Sequence, residues 1–329
     1  MNSRRLGVFL LTVMIAFTPS IGFVQAGARP ATAPTAPSAG RSAIVWMGLE
    51  ITGENVSADL QSIGTHRGDL TGVSYEHYML GSQGYFGPIL GVSNVTGRIK
   101  SFGLQTYPMI ISTNLGDIEY VIDHPTNFIT KSVSKAKWAG YTGYNIDFEP
   151  TQMANASVAG AYASFLTAFA DALHKEGKKL TVDIATWNPI WNFTELANTT
   201  VNTLYDMSTY ASPSFNFAAA LGYANATIPH SKLGVGLITV NVNTGALLQN
   251  YSVSARFIAL QSDGVLKIAI WDMPLASYWW PYLHQFVGAG RVQASTIPIQ
   301  AYAITAVGGL ALAAVAALFV NRRRSRRAK

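Results

Sequence analysis

Short apolar runs alternate along this chain with segments whose apolar residues recur every three or four positions. The runs are Ser42–Met47, Leu70–Tyr78, Leu104–Ile111, Gly143–Glu149, Lys179–Ala185, Thr203–Tyr210, Leu233–Thr239 and Ile268–Asp272. Each has the length and apolar content of a buried strand. A helix can be placed between most of them. The clearest is Val158–Lys175, where Val158, Tyr162, Phe165, Leu166, Phe169 and Leu173 form one apolar stripe. His174 and Lys175 fill its last turn and Gly177 is a good terminator. Strands alternating with helices favour a parallel sheet. Eight such units fit an α/β fold, a closed (β/α)8 TIM barrel over residues 41–290. An open doubly wound sheet is the alternative, but no Gly-rich phosphate loop follows the first strand. No repeat marks a solenoid or propeller.

The fourth run is a poor core strand. Successive strand side chains alternate between faces. Asn145, Asp147 and Glu149 therefore share one side, and Tyr144, Ile146 and Phe148 the other. Two carboxylates at the strand repeat lie about 6–7 Å apart and repel. Burying them without partners costs several kcal/mol. Carboxylate chemistry would justify that cost, because crowded acids gather at active sites. A strand end whose acids bond nearby backbone is the plainer alternative. In a barrel the site lies at the C-terminal ends of the strands. Glu149 stands at such an end, and Pro150 stops the ladder.

The two ends suggest a cell-surface protein. Residues 1–26 read as a secretory signal, with Arg4 and Arg5, the apolar run Leu6–Phe17, and Val24-Gln25-Ala26 as a cleavage site. An uncleaved anchor is the alternative, although Pro19 and the polar break at Thr18–Ser20 shorten the run. Residues 27–40 are rich in Pro, Ala and Ser and read as a linker. A second short linker, 291–298, leads to Ile299–Val320, an uncharged apolar run long enough for a single transmembrane helix. The basic tail 321–329 then marks the cytoplasmic side and leaves the large domain outside the cell membrane.

Composition adds three points. Arg4, Arg5 and the five arginines of the tail supply most of the net charge of +6. The domain between is near neutral, so no nucleic-acid partner is implied. The absence of cysteine rules out disulfides and thiolate metal sites. Seven Asn-x-Ser/Thr acceptors, at Asn55, Asn94, Asn155, Asn192, Asn198, Asn225 and Asn250, agree with an exported glycoprotein.

The run Gly143-Tyr144-Asn145-Ile146-Asp147-Phe148-Glu149 resembles the fourth barrel strand of glycoside hydrolase family 18, the chitinase and endo-β-N-acetylglucosaminidase family. That family's pattern is Asp-x-x-Asp-x-Asp-x-Glu. Thr142, Asn145, Asp147 and Glu149 stand at its four positions, so the last two acids are kept and the first two replaced. The form is similar to the branch that includes spore-cortex and other cell-wall hydrolases. Lys179-Leu180-Thr181-Val182, Asp206-Met207-Ser208-Thr209-Tyr210, Lys232-Leu233-Gly234-Val235-Gly236-Leu237 and Ile270-Trp271-Asp272 resemble the family's next four strands in order.

The resemblance implies a substrate-assisted glycosidase for glycans containing β-linked N-acetylhexosamine, an exception to the usual two-carboxylate scheme. Glu149 would be the acid and later the base, and Asp147 would orient the acetamido group. Tyr210 would hydrogen-bond the acetamido oxygen, and Trp271 would lie under the sugar. Asn145 would support Asp147 by donating to it and would lie in the substrate site. Trp187 and Tyr75 are further candidate sugar contacts. No metal or organic cofactor is implied, and a monomer is expected. Ala211 and Ser208 depart from the family's strand-six signature. A non-catalytic glycan-binding surface protein built on the same barrel is the rival reading.

Overall fold

The apolar runs pair in sequence order, and their register decides which face of each looks inward. The computed structural model describes residues 40–49, 55–89, 94–211 and 214–288. The expected signal, almost all of the first linker, the second linker, the transmembrane segment and the tail lie outside the described residues.

The elements in order are β1 (Ser42–Met47), α1 (Val56–Thr65), β2 (Gly72–Leu80), β3 (Phe86–Pro88), α2 (Val95–Ser101), β4 (Gln105–Ser112), α3 (Leu115–Asp123), α4 (Pro125–Ala139), β5 (Gly143–Phe148), α5 (Ala156–His174), β6 (Lys179–Ile184), α6 (Phe193–Ala197), β7 (Thr203–Asp206), α7 (Ser214–Thr227), β8 (Leu233–Ile238), α8 (Asn250–Ser262), β9 (Lys267–Trp271) and α9 (Trp279–Gly288). Eight strands run parallel in the order β1-β9-β8-β7-β6-β5-β4-β2, and a β1–β2 ladder closes them into a barrel. The short β3 pairs antiparallel with β2 and lies outside this ring of eight. Three residues were too few to register as a strand in the sequence pattern.

Residues paired across a parallel ladder share a face. Trp46 faces Ser74, Ser74 faces Tyr107, Met109 faces Asn145, Asn145 faces Thr181, and Asp183 faces Tyr205. Trp46 of β1 also meets Tyr205 of β7 edge-on, with ring centroids 5.6 Å apart. Those strands are not neighbours, so the contact crosses the lumen and marks this face as the interior. The other face of β5 meets the helices. Tyr144 lies tilted against Phe169 and donates its hydroxyl to the Ser132 carbonyl, and Phe148 packs on Tyr162. Burying each such aromatic stabilises the fold by about 1.5–3 kcal/mol.

Asparagines start several helices. Asn55, Asn114, Asn155 and Asn192 accept backbone N–H groups of α1, α3, α5 and α6. Such caps contribute typically about 1 kcal/mol each. Three of these four are also Asn-x-Ser/Thr acceptors, so capping explains their residue type independently of glycosylation.

The expected strand Thr203–Tyr210 is half as long as its apolar pattern suggested. β7 stops at Asp206, and Met207–Tyr210 forms a 3₁₀ turn. Asp206 causes the stop by accepting the Ser208 N–H at 2.8 Å, as an N-cap does. Thr209 Oγ1 donates to the carbonyls of Asp206 and Gly236, which ties the turn to β7 and β8.

Candidate active site

The interior faces of β5 and β6 are polar toward their C-terminal ends. Asn145 and Asp147 follow one another on the inner face of β5, and Asp183 follows Thr181 on that of β6. Asn145 is fully enclosed. Its Nδ2 donates to Asp183 Oδ2 at 2.6 Å, and its Oδ1 accepts from Thr181 Oγ1 at 2.5 Å. One donor of the amide expected to support Asp147 therefore goes to Asp183. The Asn145 amide nitrogen and oxygen are thus both engaged by side chains of β6.

Asp147 lies one turn of the strand repeat closer to the mouth and is buried. Glu149 is just beyond the strand end and half-buried, with its N–H on the Ser112 carbonyl at 2.8 Å. The loop after it is held by Asn188. That side chain donates to the carbonyls of Pro150 and Gln152 and accepts from the N–H groups of Ala154 and Ile190. Thr142, at the motif's outermost acid position, exchanges hydrogen bonds with Thr106 and ties the start of β5 to β4.

Tyr210 reaches the same region from the turn after β7. It packs edge-on to Trp46, with ring centroids 6.3 Å apart. Burial pushes its phenol well above the ordinary range, and the charges of Asp183, Asp147, Glu149 and Asp272 push it further. Four carboxylates thus act electrostatically on one buried tyrosine. Gly236 of β8 makes room for that ring, since a Cβ there would lie 3.0 Å from Tyr210 and 2.7 Å from the Asp206 carbonyl. Arg256 of α8 holds the turn from behind. Its guanidinium donates to the carbonyls of Thr209 and Ala211 at 3.1 and 2.8 Å, and burial lowers it to about 10. Ser208 and Ala211, which depart from the family signature, have structural tasks here. Ser208 Oγ accepts the Thr186 N–H, and Ala211 offers only its carbonyl.

The aromatic candidates separate. Trp271 ends β9 on the inner face and is half-buried at the mouth. Trp187 is half-buried in the loop after β6, edge-on to Trp191 at 5.6 Å. Tyr75 is not brought to the site. It pairs with Met47 and Pro108 on the outer face of β2 and bonds Thr96 of α2 at 2.5 Å. The period of two put the large Tyr75 opposite Ser74 and Glu76, but only the register showed that the smaller pair looks inward.

Asp183, Trp46, Asn188 and Arg256 were missed in the sequence. Asp183 alone had a signal. Alternation across Lys179–Ala185 sets Lys179, Thr181 and Asp183 against Leu180, Val182 and Ile184, the same pattern read in β5.

No family model matches the sequence, and no curated protein matches it. Solved structures do match the fold. The spore cortex-lytic enzyme SleL of Bacillus cereus superposes with a TM-score of 0.65 at 13% identity, over 75% of this chain and 74% of its own. A chitinase from Chromobacterium violaceum gives 0.63 at 14% identity, over 76% of this chain and 100% of its own. The family 18 chitinase ChiB of Flavobacterium johnsoniae gives 0.56 at 13% identity, over 76% and 94%. This chain shares the (β/α)8 barrel fold of these enzymes. The likeness extends over residues that share almost no sequence, so it reports the architecture. The fourth-strand motif of Asp147 and Glu149 sits where that architecture opens.

Proposed function

We propose that this chain is a membrane-anchored glycoside hydrolase acting outside the cell on glycans that contain β-linked N-acetylhexosamine. The observation that carries the reading is the convergence of Asp147, Glu149 and Tyr210 at the C-terminal mouth of a chitinase-like barrel. The proposed reaction is substrate-assisted and retains configuration. The acetamido oxygen of the substrate attacks its own anomeric carbon while Glu149 gives a proton to the departing glycosidic oxygen. Asp147 accepts the acetamido N–H and, as an anion, stabilises the positive ring that forms. Tyr210 donates its hydroxyl to the acetamido oxygen and aligns it for attack. Glu149, now a carboxylate, takes a proton from water, and the water oxygen opens the ring at the anomeric carbon. Trp271 would support the sugar's apolar face, with Trp187 bordering the cleft.

The rival reading, glycan binding without turnover, draws on the loss of acids at Thr142 and Asn145. The test uses the full chain in detergent on chitin oligomers, peptidoglycan fragments and N-glycans. Cleavage is expected, and Glu149→Gln should lower kcat by on the order of 10³-fold. Tight binding with no cleavage would establish the rival. Cleavage unchanged by Glu149→Gln would remove the site assignment. Membrane anchoring by Ile299–Val320 predicts that the expressed chain sediments with membranes and that deleting 299–329 releases it.

A further inference from the structure

The motif on β5 lacks an acid at Asn145, and the barrel brings one in from the next strand. Asn145 faces Thr181 and Ile146 faces Val182 in the β5–β6 ladder. One residue further along stand Asp147 and Asp183, on strands about 4.8 Å apart. Asp183 points into the lumen, because its register partner Tyr205 meets Trp46 across the barrel. It is 2% exposed. Its Oδ2 accepts Asn145 Nδ2 at 2.6 Å, and its buried Oδ1 has no hydrogen-bond partner among the described residues. Resting on the function proposed above, we propose that Asp183 is a positioning residue: it locks the Asn145 amide and holds a proton, so that Asp147 beside it stays ionised.

Neighbouring carboxylates in a dry interior do not both ionise. Asp183 is the one that keeps the proton. Its single donor is a neutral amide, and an unpartnered buried oxygen costs far less as a neutral hydroxyl than as part of an anion. The titratable groups within electrostatic reach of it are Asp147 and Glu149 from β5 and its end, Tyr205 and Tyr210 from β7 and its turn, and Tyr162 from α5. Burial first, then the Asp147 charge, raise the Asp183 carboxyl well above the usual range. The Asn145 bond draws it partly back, and the Glu149 charge adds to the rise. The negative charge thus resides on Asp147, next to where the substrate's acetamido group would become cationic.

Infrared difference spectra of the full chain across a pH series test this without substrate. A protonated-carboxyl band is expected at neutral pH. Asp183→Asn should remove one component of it, with Asp206 contributing to what remains, and Asp147→Asn should lower the pH at which that component disappears by about one unit or more. In turnover, Asp183→Asn should lower kcat on the order of tenfold with KM nearly unchanged and shift the pH–rate curve. The exchange Asn145→Asp with Asp183→Asn returns the acid to β5 and should recover most of that loss, which simple repair of packing would not do. The proposal is overturned if no such band exists, if Asp183→Asn leaves its intensity unchanged, or if the exchange is no better than Asp183→Asn alone. Should the wild type cleave no glycan, the glycosidase reading falls, while the spectra still decide where the proton resides.

Discussion

At the scale of single residues, the site is a set of buried oxygens in which each member fixes the next. Thr181 holds the Asn145 carbonyl oxygen, and Asn145 holds Asp183. Tyr210, in the turn after β7, comes within electrostatic reach of the carboxylates. The tyrosine ring is already held by Trp46 and by the space above Gly236, so its hydroxyl can be removed with little repacking. Tyr210→Phe is therefore expected to leave the thermal midpoint within a few degrees and to lower kcat on the order of 10²-fold, as loss of one aligned donor does. Steady-state kinetics beside a melting curve check it. A large fall in the midpoint with kcat intact would place Tyr210 among purely structural residues. Little of this network was legible in the sequence. Asp147 and Glu149 could be found because they sit two apart on one strand. Asp183 lies 38 residues from Asn145, and no local pattern links them.

At the scale of elements, the turn after β7 shows how a strand end becomes a functional loop. The apolar run Thr203–Tyr210 reads as one strand because pattern alone does not reveal a side chain that caps its own backbone. Asp206 does so at Ser208, and α8 then clamps the turn through Arg256. Arg256 is buried, and its guanidinium also lies over Phe217 at 4.8 Å. Arg256→Met takes donors from two carbonyls and should destabilise the fold by roughly 2–4 kcal/mol. Urea unfolding gives that number. The loosened turn should also raise KM more than Arg256→Lys does, since lysine keeps a cation but not the planar fork. Equal effects of the two variants on KM would show that the clamp's geometry does not matter.

At the scale of the whole molecule, the interior carboxyls link stability to pH. Burial raises Asp206 to about 7, with the Ser208 bonds holding it lower than burial alone would. The same cause raises Asp183. In the unfolded chain both would release their protons near pH 4. Between that point and the folded value, the native state binds more protons than the unfolded one, so stability falls as pH rises. The contribution is fully present below about pH 4 and, for Asp206, is lost by about pH 7, with a slope of up to about 1.4 kcal/mol per unit. Asp206→Asn keeps an oxygen for the Ser208 N–H and removes the titration. Its unfolding free energy should decline less than that of the wild type over this range. Parallel curves for the two proteins would show that Asp206 is ionised in the folded state.

The sequence by itself determined the barrel and one pole of its candidate site. Apolar periodicity is a local property, fixed by the reach of a strand or a helical turn, and it marked the eight barrel strands, the long helix α5 and the acid pair at the end of β5. Which face of each strand looks inward is not local. It follows from the register that eight ladders must satisfy together when the sheet closes. That closure turned Tyr75 outward, enclosed Asn145, and set Asp183 beside the strand whose missing acid it stands next to. Residues far apart in the chain meet only when the ring is complete, so the second half of the site belongs to the tertiary structure.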